Sequence, residues 1–422
     1  MNPLLAFKLP KYDKISEKII DSNNNFLLSP CMIHPLFKLG YHHFIDRTRS
    51  ALSITDKIDS KNEFYYVVNN FEAVIPDYKD NIQNLTKIYM NYSVDEIGEN
   101  FYKFWEIFFI FNVVDDVKNI SIFANDPTEY EDCITKFYEK ILSKDIKKIK
   151  FTNANIIPEN EFEYEKTKTN QFLGKEKTKN IKLVNNLINE TIKTKEYSQL
   201  IIANAENIYN NKNNKEQESY KLILGEILGI LNIQDKKGNS IIKFFDTFTL
   251  ITLKIIYILC FLYDDVYIYK PYLSRLSEPE KFLICKTFKF SNTDKNVKVL
   301  ISKIEEIIKA LDSNEFLNDI FLDFEIPTDL INDFKFINIT LVNKQQILIN
   351  EIIKYIKENN YFGDKYHIFK NNQIDSTKWW INIFYPPSNN IYKSNKELIN
   401  KLLISTNEKN TSEKDKFIAN FI

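Results

Sequence analysis

Two charged residues stand where this chain could do chemistry. Lys243 closes the short apolar run Ile241-Ile242, and Glu280 stands just ahead of another, Phe282-Leu283-Ile284-Cys285. Strand ends and the loops beyond them are where α/β proteins place reacting groups. A lysine there can take up a proton when burial or a second cation disfavours its own charge. The plainer readings are a lysine snorkelling from a strand end to solvent and a glutamate spent on a structural ion pair. His34, His42 and His43 invite a metal reading; we read them as surface or half-buried side chains and expect no metal site.

Positioning Lys243 and Glu280 takes a strand, a helix and two more strands. The turn signal Lys237-Gly238-Asn239 precedes the run that ends at Lys243, and a helix follows, carried by Leu250, Leu253, Lys254, Tyr257, Ile258 and Phe261. Val266-Tyr267-Ile268-Tyr269 forms the next strand, a polar loop runs from Lys270 to Pro279, and a third strand closes the unit. Upstream, Phe101, Trp105, Phe108 and Phe109 recur at helical spacing, and Ile120 to Ala124 reads as a strand ending at Asn125-Asp126-Pro127. Helices are expected over about 129–143, 181–194 and 217–232, with strands near 148–151 and 200–203 and a polar loop at 207–216.

This alternation from 119 to 288 predicts an α/β fold, a doubly wound domain with a largely parallel sheet. Helical periods over 295–312, 345–359 and 394–405 predict a C-terminal helical extension whose final dozen polar residues fray. The first 94 residues form an N-terminal accessory region, punctuated by Pro3, Pro10, Pro30 and Pro35, with helical patterns near 10–20 and 80–90. Trp379-Trp380 lies in an aromatic patch with Phe384 and Tyr385 that reads as core, a base-stacking platform being the alternative.

Composition narrows the function classes. A chain of 422 residues with 44% hydrophobic residues and net charge −1 can bury a large core and shows no global basic signature. RNA binding would need a local patch around Lys270, Arg275 and Lys281. Arginine occurs only at Arg47, Arg49 and Arg275, so Arg275 is a candidate for planar, bidentate contact or for a carboxylate partner within the chain. Four scattered cysteines favour a reduced, cytoplasmic setting over a disulfide framework. No signal peptide is expected, and the apolar segment 247–263, short and interrupted by Lys254, reads as a buried helix and not as a membrane span.

The stretch from Gly238 to Phe288 resembles the C-terminal half of the FtsJ-like, Rossmann-fold RNA 2′-O-ribose methyltransferases, including those of large DNA viruses. The residues that carry the likeness are Gly238, Ile241-Ile242-Lys243-Phe244-Phe245, Tyr267-Ile268-Tyr269-Lys270-Pro271, Ser274-Arg275 and Glu280-Lys281-Phe282. The resemblance implies a methyltransferase domain over 95–290, flanked by the accessory region 1–94 and the extension 291–422. It implies S-adenosylmethionine as methyl donor, capped mRNA as substrate, and RNA contacts by Lys270, Ser274 and Arg275. The family's catalytic set is Lys-Asp-Lys-Glu, which falls here on Lys103, Asn204, Lys243 and Glu280. In that scheme Lys243 removes the proton of the ribose hydroxyl or stabilises the alkoxide, Lys103 is the neighbouring cation, and Glu280 orients the pair.

Two departures bear on activity. Asn204 stands for the aspartate and loses its charge while keeping one acceptor oxygen. The family's glycine-rich donor turn is matched by Phe123-Ala124-Asn125-Asp126-Pro127-Thr128-Glu129-Tyr130-Glu131, which holds no glycine. Tyr130 and Glu131 fall where the glycine pair belongs, Glu206 replaces a small residue, and Asp126 and Asn204 are what remains for the cofactor. Three functions follow: an RNA 2′-O-methyltransferase; a non-catalytic RNA-binding or scaffold subunit beside a capping or polyadenylation enzyme; or a virion structural protein.

Overall fold

In the computed structural model of the protein the described residues are 4–21, 26–35, 39–40, 42–58, 64–72, 98–143, 149–155, 188–189, 191, 193–206, 209, 212–311, 315–358 and 363–421. The strands among them are β1 (Leu5–Lys8), β2 (Phe26–Ser29), β3 (Asn119–Ala124), β4 (Lys150–Asn155), β5 (Ser198–Asn204), β6 (Gln234–Phe244), β7 (Tyr263–Lys270), β8 (Lys281–Phe288) and β9 (Phe316–Ile320). The principal helices are α1 (His42–Ala51), α2 (Glu99–Phe111), α3 (Thr128–Phe137), α4 (Tyr220–Ile233) and α5 (Leu250–Leu262). Beyond them come α6 (Lys295–Ala310), α7 (Thr328–Lys357), α8 (Asp364–Phe384) and α9 (Asn389–Phe421).

Seven strands form one sheet in the order β1-β7-β8-β6-β5-β3-β4. β4, β3, β5 and β6 are mutually parallel, β8 runs antiparallel between β6 and β7, and β1 pairs antiparallel with the outer edge of β7. Alternate residues feed opposite faces, as the pleat requires. Ile120, Ile122, Ile202 and Ile284 pack beneath α2, α3 and α8. Phe123, Ile201, Ala203 and Leu283 pack against α4, α5, α6 and α7. Helices on both faces of the sheet make this the α/β architecture expected from the alternation, but the sheet is mixed, with three parallel and three antiparallel pairings in place of the largely parallel sheet expected.

Several local expectations change. The signal at Lys237-Gly238-Asn239 is not a turn between elements; it lies inside β6, where the pairing with β5 jumps from Ser198↔Gln234 to Leu200↔Asn239. The extra residues bulge out with Lys237 at φ 68°, and a Cβ on Gly238 would come within 2.9 Å of the Gln199 carbonyl. The sheet's edge strand β1 comes from the stretch read as accessory. The final dozen residues do not fray: α9 continues through Phe421, the Phe417 ring meets Phe336 at 6.2 Å, and Lys414 pairs with Asp333 at 2.5 Å. The helices expected at 80–90 and 181–194 lie outside the described residues, the second but for a few positions.

α5 is buried on every side, and its lysine is paired inside the protein. Lys254 Nζ donates to Asp319 Oδ1 at 2.8 Å and to the Ile320 carbonyl at 2.7 Å, tying the core helix to the small β2–β9 sheet. No helix among the described residues is long and apolar enough to cross a membrane.

Candidate active site

Three elements converge at the carboxyl end of β6. The N-terminus of α2 is capped from α3: Glu129 accepts from the Phe101 backbone N–H at 2.9 Å and from Asn100 Nδ2 at 3.1 Å. Gly98 leaves room for that carboxylate, since a Cβ there would sit 2.4 Å from Glu129 Oε1. The cap fixes α2 so that Lys103, in its second turn, points at the end of the sheet. β6 delivers Lys243 opposite Phe282 in β8, and Glu280 stands one residue before β8 begins.

The three expected side chains meet there. Lys103 Nζ lies 2.9 Å from Glu280 Oε1, and Lys243 Nζ lies 3.5 Å from Glu280 Oε2. Both lysine side chains are nearly buried, at 7% and 6% exposure, so neither charge is well served by water. Burial alone would raise the Glu280 carboxyl, but Lys103, Lys243 and Lys270 outweigh it and hold it far below the usual carboxylate range. Burial likewise works against the Lys103 ammonium, and Glu280 with Glu99 overcomes it, raising that group above its ordinary value.

The loop after β7 is built around Lys270. Its ammonium donates to Ser274 Oγ at 2.9 Å and to the carbonyls of Glu278 and Glu280 at 2.9 and 2.7 Å. Ser274 Oγ in turn donates to Glu280 Oε1 at 2.9 Å. Burial drives Lys270 down to about 7, with Glu280 opposing. Lys281 is similarly enclosed, lowered by burial to about 8, and donates to the Phe245 carbonyl. The surface patch expected around Lys270, Arg275 and Lys281 is therefore not presented to solvent: both lysines are buried, their donors taken by loop acceptors. Arg275 keeps 22% exposure; it forks onto Glu72 at 2.7 Å, reaches Glu99 at 2.9 Å and lies 4.3 Å over the Tyr66 ring.

Beyond Lys243 the chain is locked from both ends of the sequence. Asp246 receives a bidentate fork from Arg49 of α1 at 2.6 and 2.8 Å, and Arg49 also bonds Gln345 of α7 at 2.8 Å. Glu216 accepts from the backbone N–H groups of Phe248 and Thr249, each at 3.0 Å, and so caps α5. These partners are hundreds of residues apart or separated by the polar run, and sequence reasoning found none of them.

The opposite half of the crevice, at the ends of β3 and β5, is differently made. Asp126 spends Oδ1 on the Thr128 backbone N–H at 3.0 Å and the Thr128 hydroxyl at 2.6 Å, closing the turn into α3. Asn204 is buried; its amide donates to the Tyr130 hydroxyl, and its Oδ1 has no partner. Tyr130 fills the space between α3 and α2 with its ring edge-on to Phe104, centroids 4.8 Å apart. Asn125 clamps the two strand ends, donating to the Glu206 carbonyl at 2.9 Å and accepting from its N–H at 2.7 Å. Below them Glu226 accepts from the Ala205 N–H at 3.1 Å, and burial raises it to about 8, so it is largely uncharged at neutral pH.

Against S-adenosylmethionine the two remaining residues differ. Asn204 fits: a buried, unsatisfied oxygen at a strand end is an acceptor for the donor's ammonium or a hydroxyl. Asp126 holds its own turn through Oδ1. Trp380 is fully buried with Nε1 donating to Glu106 at 2.8 Å, so the aromatic patch is core and no stacking platform. His42 is buried, not at the surface as expected, its ring 4.1 Å from that of His43 at a tilt of 43°, and no cluster of metal-ligating residues occurs among the described residues.

Parts of the chain are similar to known methyltransferases. Residues 132–288 match the family described as FtsJ-like methyltransferase. A Cap-specific mRNA (nucleoside-2'-O-)-methyltransferase 1 of Leishmania braziliensis is 36% identical over 76 residues, 18% of this chain and 19% of that protein. An uncharacterized protein of Acanthamoeba polyphaga mimivirus is 23% identical over 344 residues, 79% of this chain and 80% of the relative. A probable methyltransferase of African swine fever virus is 27% identical over 200 residues, 47% and 41% of the two chains. The chain thus spans about a fifth of the trypanosomatid relative and four fifths of the mimivirus one.

Proposed function

We propose that this chain, whose residues 132–288 match the FtsJ-like methyltransferase family, methylates the 2′-hydroxyl of a ribose in capped mRNA, with the domain over 95–290 as its catalytic unit. The observation that carries the reading is the pair of buried lysines on the two oxygens of one buried carboxylate, at 2.9 and 3.5 Å. The two ammonium groups are brought together by Glu280 at the end of the sheet, where either can meet an approaching hydroxyl oxygen. The ribose hydroxyl is a poor nucleophile, and Lys243 is the group placed to take its proton and hold the developing alkoxide. Lys103 keeps Glu280 in register, and Lys270 with Ser274 fixes the backbone and one oxygen of Glu280. Bound S-adenosylmethionine supplies a methyl group on a sulfonium, the electrophile. Asn204 Oδ1 would hold it from the β5 side.

A second reading is favoured by the Tyr130–Asn204 contact and the Asn125–Glu206 clamp, which together close the donor half of the crevice. In that reading the chain holds RNA without transfer, as a subunit beside a capping or polyadenylation enzyme in the host cytoplasm. Calorimetric titration with S-adenosylmethionine separates the two. Binding followed by methyl transfer to capped RNA supports the enzyme; no heat at millimolar donor leaves the second reading in place.

A further inference from the structure

The family set lacks its acid at Asn204, yet Lys243 has a second carboxylate. Glu206 Oε2 lies 2.7 Å from Lys243 Nζ, closer than Glu280, and its other oxygen is 3.7 Å from Lys215. We propose that Glu206 is the displaced fourth member of the set, supplying from two residues downstream the negative charge that Asn204 gave up. This rests on the reading of Lys243 as the reacting lysine and deepens it.

Three observations support the substitution. The Glu206 backbone is held on both sides by Asn125, so a half-exposed side chain (41%) springs from a fixed base. Asn204 has turned away: its amide is bonded to Tyr130, and the structure gives it no bond to Lys243. The remaining acid near Lys243, Glu226, cannot do the same work, because it is buried beneath Ala205 and largely protonated at neutral pH. Lys243 therefore stands between Glu280 on the β8 side and Glu206 on the β5 side, with Lys103 across Glu280 and Glu226 below. A lysine tethered between two acids is held in one orientation. Glu206 acts through Lys243 and is a positioning residue.

The test needs neither donor nor RNA. In protein with 13C-labelled lysine side chains, the Lys243 signal is followed against pH in the original chain, in Glu206→Gln, and in the double variant Glu206→Gln/Asn204→Asp. Loss of a carboxylate within 4 Å is expected to lower the titration midpoint by about one unit, tempered by the exposure of Glu206. Restoring a carboxylate at 204 is expected to bring it back. A midpoint unmoved in Glu206→Gln, or not restored in the double variant, overturns the proposal. If the original chain never transfers methyl, the functional reading falls while this measurement still answers for Glu206.

Discussion

The two halves of the crevice end the same sheet but are held by different forces. On the β6–β8 side almost every group is charged and over-determined: Glu280 alone meets Lys103, Lys243 and Ser274, and Lys270 fastens its carbonyl. On the β3–β5 side the contacts between the strand ends are neutral amides and hydroxyls, Asn204 to Tyr130 and Asn125 to Glu206, and the charge there is the Glu206 carboxylate that reaches across to Lys243. Charged networks are costly to break because they strand uncompensated charge in low dielectric, whereas neutral hydrogen bonds exchange at little cost. The β6–β8 side is therefore built to be rigid. The β3–β5 side is built largely of contacts that a ligand can replace.

The largest test of that contrast is Lys243→Ala, expected to cut transfer to capped RNA by about a thousandfold; unchanged turnover in a donor-binding protein would discard Lys243 as the base. Glu280→Gln comes next, leaving Lys103, Lys243 and Lys270 without their shared counter-charge. Its urea midpoint should report a loss of about 3 kcal/mol, and a loss below that of Tyr130→Phe would reverse the ranking of the two sides.

Acid–base behaviour should separate the halves as well. Glu226 is raised from 4.5 to about 8, so its contribution to stability is present below its unfolded value and is lost as pH rises through about 8. Lys270 is lowered from 10.5 to about 7, so its contribution is present above its unfolded value and is lost as pH falls through about 7. Glu226→Gln should therefore gain about 4 kcal/mol relative to the original chain between pH 5 and pH 9, read from paired urea curves. An equal effect at both pH values would mean the carboxyl is not buried as described. Smallest of all, Tyr130→Phe should cost about 1 kcal/mol of stability while leaving Asn204 free for the donor. Weaker binding of S-adenosylmethionine in that variant would show that the tyrosine hydroxyl helps hold the donor.

How much of this could be read in the sequence follows from where each partner lies. β7 and β8 were legible because aromatic and β-branched runs are bracketed by Pro271 and Pro279, and α5 because its apolar period is unbroken. Lys243 and Glu280 were legible as strand-end charges, Lys103 through a family motif. β1 was not: its four residues carry no pattern of their own, and their partners, Tyr267 to Lys270, are some 260 positions away. Glu206 reads in the sequence only as the replacement of a small residue, since its spacing from Asn204 says nothing about a lysine on the next strand. Lys254 flagged α5 as no membrane span, while its partner Asp319 sits in a strand with no signal linking the two.

Glu106 gives the molecule a schedule. Its carboxyl, buried without solvent and pushed up to about 7, is satisfied by Tyr269, by the Tyr272 N–H, and by Trp380 Nε1. The helix that also carries Lys103 is made early in synthesis, but the last of these donors lies on α8. Until Trp380 has left the ribosome, α2 carries a buried acid short of one partner. The helix that holds Lys103 is thus packed in full only once α8, made much later, returns to cover it.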